Sequence, residues 1–392
     1  MTGGAAIAGL GLTEVGKVYD GRTARGFAAD AVRLAVADAG LTVADVDGLL
    51  INARWGTDLD LTLAKLLHLR DLRMLAQVHA FGASAAVMVS QAAMAVMAGE
   101  ANVVVCVFAD DPLSADGDSG AAYRMTSAAA TGFRSAETAA GFSSTTHRYA
   151  LAASRYLYAF GRTNDDFGAV AVCQRQWAAM NPAAQMRSPI TLDDYHASRW
   201  VVEPLHLLDC CLVSNGGAAV VITSADRAAT GPRPAVGIAG WAQCHPGSGW
   251  ERDSDFGLVT GAAIAGPAAL AMAGLKPAEI DLREIYDCYT YTALITLEDY
   301  GFCAKGEGGE LAASGALAPG GALPTNTGGG QLSSYYLWGM TPLVEAVIQL
   351  RGDAGTRQVR QHATAIVSGN GGILDHHATL VLGAPGQGWV AR

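Results

Sequence analysis

Ala37-Asp-Ala-Gly-Leu-Thr-Val-Ala-Asp-Val-Asp47 returns, more than two hundred residues later, as Ala271-Met-Ala-Gly-Leu-Lys-Pro-Ala-Glu-Ile-Asp281. Each copy follows a short apolar strand and a helix: Ala5–Gly11 with Thr23–Gly40, and Ala235–Trp241 with a helix closing at Leu270–Gly274. Downstream, each half carries an Ala/Val-rich helix and a strand, Ala83–Gly99 into Val103–Phe108 and Pro342–Leu350 into Thr364–Val367. Each half ends on one more apolar strand, Ala218–Thr223 and Ala378–Leu382. Self-similarity over so long a period marks a duplicated α/β unit. Strands that are apolar throughout predict burial on both faces by crossover helices. The expected organisation is an N-terminal half over residues 1–228 and a C-terminal half over 229–392.

An insertion interrupts the first half over about 110–206. Thr145–Phe160 reads as a helix stopped by Gly161, Asn164–Met180 as a second ending before Asn181-Pro182, and Thr191–Asp194 as a helix start with acids in its first turn. The Gly/Ser-rich run Asp116–Ser144 predicts a mobile or partner-dependent loop. The insertion is rich in arginine, Arg148, Arg155 and Arg175 included, and one or two of these are candidates for a phosphate handle.

The composition bounds the function. The chain has 392 residues, 48 of them glycine, is 51% hydrophobic and carries a net charge of −10. That is a compact globular composition and an unfavourable one for a nucleic-acid surface, which needs clustered Lys and Arg. The most apolar helix, Ala83–Gly99, is interrupted by Ser84, Ser90 and Gln91, so it reads as buried in protein and not as a membrane span. The N-terminus lacks the basic start of a secretory signal. Seven cysteines form no C-x-x-C pair and no zinc spacing, so no metal is expected in this chain and the thiols suit a reducing cytoplasm.

In duplicated α/β folds, ligands sit where equivalent strand ends converge. Glu284-Ile-Tyr-Asp-Cys-Tyr-Thr-Tyr291 lies at such an end, between a strand approached through Ile280–Arg283 and a helix over Thr292–Gly301. Asp287 reads as the cap of that helix, which would bring amide donors and dipole field to Tyr286. Tyr336 precedes a second helix start at Thr341-Pro342. An aromatic packing cluster is the plain alternative for this stretch.

Three segments carry a resemblance over essentially the whole chain: the Tyr286 segment, Leu323-Pro-Thr-Asn-Thr-Gly-Gly-Gly330, and Leu208-Asp-Cys-Cys-Leu-Val-Ser-Asn-Gly-Gly-Ala-Ala219. With the duplication they resemble the thiolase superfamily, and within it the sterol-carrier-protein type. The resemblance implies duplicated βαβαβ halves in a five-layer αβαβα sandwich with an inserted loop domain. It also exposes what is missing. The family's nucleophilic cysteine falls on Gly82, its Gly-His-Pro histidine on Tyr336, and its next active-site Asn or His on Tyr286. The C-terminal Cys-x-Gly loop becomes Ser368–Gly372, again without a thiol. Acyl-cysteine chemistry needs the thiol and its base, so a thiolase reaction is excluded.

The same losses resemble the lipid-transfer-protein-type aldolases of bacterial steroid side-chain degradation. That resemblance implies retro-aldol cleavage of a β-hydroxyacyl-CoA into a ketone and a shortened acyl-CoA such as propionyl-CoA, with Tyr286 and Tyr336 as the catalytic pair. It further implies a homodimer working with a small OB-fold/zinc-ribbon protein, itself fused to or bound with a hydratase; zinc belongs to that partner. An unperturbed phenol titrates at about 10, so a tyrosinate base needs donors beyond a helix end. Backbone amides at Gly82 and in Ser368–Gly372, Gly371 among them, are candidates for the enolate oxygen. Asn326 is expected to shape the site by hydrogen bonding and His245 to line it. The vacated cysteine position is expected to make room for a branched β-carbon. A non-catalytic acyl-CoA carrier or scaffold is the competing reading, and an acyltransferase using Cys288 or Cys303 a third.

Overall fold

The computed structural model describes residues 4–117, 123, 134–142, 144–247 and 255–386. Most of the Asp116–Ser144 run lies outside these. The strands are β1 (Ala5–Leu12), β2 (Gly48–Ala53), β3 (Met74–Gln77), β4 (Val103–Asp110), β5 (Trp200–Val202), β6 (Leu205–His206), β7 (Gly216–Ser224), β8 (Val236–Cys244), β9 (Leu282–Glu284), β10 (Thr364–Gly371) and β11 (His376–Gly383). The helices are α1 (Ala24–Asp38), α2 (Leu63–Leu66), α3 (Ser84–Met97), α4 (Arg134–Ala139), α5 (Thr145–Phe160), α6 (Asn164–Met180), α7 (Leu192–Ala197), α8 (Ala225–Ala229), α9 (Ala262–Ala273), α10 (Thr290–Asp299), α11 (Gly308–Ala313) and α12 (Met340–Arg351).

The sequence repeat is a structural repeat. Gly40 and Gly274 both take φ +70° just past α1 and α9. The next amides, Leu41 N and Leu275 N, return to Val36 O and Leu270 O, which satisfies two helix-end carbonyls in the same way. The acids that close the two copies are clamps. Asp47 accepts from Asn102 N and Val103 N at 2.9 and 2.8 Å, and Asp281 from Ala363 N and Thr364 N at 2.7 and 3.1 Å. Each thereby fixes the start of the strand that runs beside its own, β4 beside β2 and β10 beside β9.

Nine strands are hydrogen-bonded in the order β3-β2-β4-β7-β1-β8-β11-β10-β9. The halves are mirror-ordered and meet where β1 pairs with β8 through Ala6–Gly237 and Ile7–Val236. Side chains alternate between two faces. In the N-terminal half, Leu49, Ile51, Val103 and Val105 pack with α1, whereas Leu50, Val104, Cys106 and Phe108 join a central core. In the C-terminal half, Ile366 and Val381 face an outer core with α9 and α10, whereas Ala365, Val367, Leu380 and Leu382 join the central one. That central core contains α3 and α12, so the layers run helix, sheet, helix, sheet, helix. Close packing of outer helices on the sheets needs glycine. A Cβ on Gly11 would stand 2.1 Å from Ala31 O of α1, and one on Gly240 2.3 Å from Ala269 O of α9.

The segment between β4 and β7 packs α6 against α10 and α11 of the other half. Gly161 ends α5 in the left-handed region, and Thr163 and Thr191 cap α6 and α7. Arg175 is buried in α6, with Nε on Ser333 Oγ at 2.9 Å and Nη1 on Ser188 O at 3.2 Å. With these two bonds the arginine braces the fold.

The central layer carries the packing energy. Leu343→Ala on α12, fully buried, should cost about 2–5 kcal/mol in urea denaturation. Ile264→Ala, 63% exposed on α9, should stay within about 0.5 kcal/mol. Equal effects would contradict the assignment of the central core.

Candidate functional site

Two segments of the C-terminal half bring tyrosines face to face. Tyr286 follows β9, its backbone N donating to Ser368 Oγ of β10 at 2.8 Å. The preceding amide, Ile285 N, donates to Asn326 Oδ1 at 2.6 Å. Tyr336 follows a π-turn over Gly330–Ser334 and is held by its own N–H to Ser214 Oγ at 2.9 Å. Between the two runs the Cys210–Ser214 segment, with Cys211 N on Cys288 O and Leu212 N on Gln331 O. The two hydroxyls meet at 3.1 Å. Tyr286 is buried, whereas Tyr336 is half-buried.

Gly82 completes the contact from the N-terminal half. It lies in a 3-10 turn, Phe81–Ala83, that leads into α3. A Cβ there would stand 2.2 Å from Tyr286 Cζ, 2.3 Å from its hydroxyl and 2.3 Å from Asn370 O. The expectation of extra room for substrate at the missing cysteine is therefore corrected: the phenol of Tyr286 takes that space itself.

Asp287 also differs from expectation. Helix α10 begins at Thr290 with Tyr289 as its cap residue, so Asp287 lies outside the helix. It accepts instead from Gln331 N at 2.9 and 3.0 Å and from Leu332 N at 3.3 Å, satisfying the first amides of the π-turn. The residue after one tyrosine thus staples the turn that presents the other. Complete burial pushes its carboxyl up to about 7, against the lowering effect of those amides. The helix-end donors expected for the phenols are not what surrounds them. Burial pushes both hydroxyls well above the ordinary tyrosine value, and the Tyr286–Tyr336 contact lowers Tyr286 only in part. α12 starts at Met340, ahead of the expected Thr341-Pro342 start, and Thr341 Oγ1 accepts from Leu337 N at 2.9 Å.

The other expected residues fall at graded distance. Asn326 is buried and splints Ile285, and its Nδ2 faces a small internal cavity lined by Glu284, Asp287 and Glu345. Gly371 sits at the end of β10, where a Cβ would stand 2.3 Å from Ala80 O and 3.0 Å from Gly82 N. Gly371 and Gly82 are thus brought into backbone contact. His245 is peripheral: its Nδ1 lies 3.0 Å from His376 Nδ1, and His376 stacks on Phe81 at 6.0 Å. Tyr289 bonds Thr146 Oγ1 and Tyr291 bonds Gly257 O, so both turn away from the pair. Cys288 and Cys303 are each pushed up to about 12 by burial, which leaves neither suited to act as a nucleophile.

Backbone strain concentrates here. Phe81, Asn326, Trp338, Ile373 and Leu374 are non-glycine residues with φ between +47° and +70°. All adjoin the segments just described, and a β-branched residue such as Ile373 adopts this region only under constraint. Ser214 and Ser368 hold the two tyrosine backbones, yet they lie inside motifs whose signal is glycine, so their role was visible only in three dimensions.

Comparison with known proteins matches this picture. The thiolase C-terminal domain-like family model matches residues 242–384. A steroid side-chain-cleaving aldolase from Thermomonospora curvata is 39% identical over 98% of this chain and 99% of its own. A 17-hydroxy-3-oxo-4-pregnene-20-carboxyl-CoA lyase from Mycobacterium tuberculosis is 40% identical over 90% and 92% of the two chains. The solved structure of an Ltp2-ChsH2(DUF35) aldolase superposes with a TM-score of 0.86 at 39% identity, covering 98% of each chain. An acetyl-CoA acetyltransferase from Syntrophomonas wolfei shares the fold at a TM-score of 0.70 with 15% identity.

The Gly82 contact generates a prediction. Gly82→Ala should destabilise the protein by about 1–3 kcal/mol, as overpacking does, and displace the Tyr286 ring. Denaturation and a crystal structure of the variant check this; wild-type stability with an unmoved ring would contradict it.

Proposed function

This chain belongs to the thiolase superfamily, in the branch that contains the side-chain-cleaving aldolases, and on that premise we propose that it is a carbon–carbon lyase. It cleaves a β-hydroxyacyl-CoA into a ketone and a shortened acyl-CoA. The observation that carries the reading is the 3.1 Å contact of two phenols over Gly82. Burial makes a resting tyrosinate costly, so the pair acts as a neutral relay. The substrate's β-hydroxyl proton enters one phenol oxygen, a proton crosses the hydroxyl–hydroxyl contact, and the second phenol delivers its proton to the α-carbon. Meanwhile the bond between the α- and β-carbons breaks, its electrons passing into the thioester enolate and the β-carbon becoming the ketone. Both phenols end neutral, and no proton is exchanged with bulk water. The amides of Gly82 and Gly371 are the proposed donors for the enolate oxygen.

The names of the two relatives support a steroid side-chain thioester as the substrate and propionyl-CoA as the shorter product. The Ltp2-ChsH2(DUF35) structure supports a DUF35 partner; the partner proposed is a small OB-fold/zinc-ribbon protein, with a hydratase fused or bound to supply the hydroxyl. A homodimer is proposed on the edge strand β3, whose Leu75 is exposed. Among the described residues no helix is long and apolar enough to cross a membrane. The proposed setting is the cytoplasm, with no metal or redox cofactor in this chain.

The test mixes the protein and its partner with a tertiary β-hydroxyacyl-CoA. Ketone and acyl-CoA should appear, and Tyr286→Phe and Tyr336→Phe should each lose about 10²–10⁴ in kcat. Tight binding without cleavage would leave the carrier reading instead.

Acidity should separate activity from stability. Above about pH 7 Asp287 is ionised and holds the π-turn; below it, protonation weakens that staple. Its folded value exceeds the unfolded one, so this group favours the folded state as pH falls. kcat should therefore decline from pH 8 to pH 6 without loss of the melting temperature. A flat kcat over that range would contradict the staple.

A further inference from the structure

We infer that Tyr123 is a positioning residue for this reaction, setting the ring of Tyr336 from the N-terminal half's side of the site. The inference rests on the lyase reading above. Tyr336 is held through its backbone by Ser214 and through its hydroxyl by Tyr286, two points that leave the tilt of its ring to whatever packs beside it. Tyr123 packs there: its ring meets that of Tyr336 edge-on, 5.8 Å between centroids at 88°.

Tyr123 is anchored independently of the catalytic pair. Its hydroxyl donates to Asp110 Oδ2 at 3.3 Å. Asp110 is the last residue of β4, fully buried, and both its oxygens accept from Arg54 Nε, at 2.9 and 3.0 Å. Arg54 follows the end of β2, the parallel neighbour of β4. Its guanidinium also lies over the Tyr123 ring, 5.7 Å from the centroid. An ion pair clamped to the carboxyl ends of two adjacent strands is a rigid post, and Tyr123 transmits that rigidity to Tyr336. The relay depends on a hydroxyl–hydroxyl distance, so a tilted Tyr336 ring costs rate even when substrate still binds.

The test compares wild type with Tyr123→Phe, which keeps the ring, and Tyr123→Leu, which keeps apolar bulk without it, in the complete protein with its partner and the β-hydroxyacyl-CoA. Tyr123→Leu, without a ring edge, should lower kcat by about 10- to 100-fold with KM within about twofold. Tyr123→Phe keeps the ring edge and the Arg54 contact but gives up the Asp110 hydrogen bond, so its loss should fall between wild type and Tyr123→Leu. Melting temperatures should stay level across the three. Wild-type kcat in the Leu variant, equal losses in Leu and Phe, or a rise in KM at unchanged kcat overturns the inference while the lyase reading stands. A wild type that does not cleave overturns both.

Discussion

The site depends on one steric fact: no side chain stands at Gly82. The phenol of Tyr286 fills the place of the missing β-carbon, 2.2 Å from where it would be, and from there reaches Tyr336. Gly82 lies in the turn that leads into the central helix of the N-terminal half, and Tyr286 follows a strand of the C-terminal half. Their contact crosses the halves and exists only because α3 and α12 are enclosed together between the sheets. A cysteine at Gly82 and the ring of Tyr286 cannot share this volume. A side chain at Gly82 and a phenol at Tyr286 are therefore mutually exclusive in this fold.

Holding two phenols at hydrogen-bonding distance in a dry core takes a buried polar frame, and the frame is paired almost group by group. Ser368 and Ser214 take the tyrosine amides, Asn326 takes Ile285, and Asp287 takes the turn. Behind them Thr327 Oγ1 lies 2.8 Å from Glu284 and 3.0 Å from Glu345, which is itself paired with Arg357. One hydroxyl proton cannot serve two carboxylates. Burial and the neighbouring Glu345 push the Glu284 carboxyl well above the usual range. Such networks specify a single arrangement when complete, and the positive-φ residues around the tyrosines show that the backbone is held against its own preference.

The duplication was legible because it is written in local rules: a left-handed glycine after each helix, an acid clamping each next strand, and apolar strands between. The tyrosine pair was legible through the pattern of vacated positions. What the sequence hid was direction. Asp287 has the composition of a helix cap, yet it caps a turn 44 positions away in sequence, because tertiary packing delays α10 until Thr290. The room expected at Gly82 was a statement about volume, and only coordinates show which neighbour takes it. His245 was expected to line the site, and it pairs with His376, which stacks on Phe81.

The central claim is that the two hydroxyls act as one relay and not as separate acid and base. A double-mutant cycle on kcat with Tyr286→Phe, Tyr336→Phe and the double variant tests it most directly. The account predicts that the double variant is no slower than the worse single one, since either substitution already breaks the chain of proton transfers. Losses that multiply would contradict the relay and give the two tyrosines independent roles.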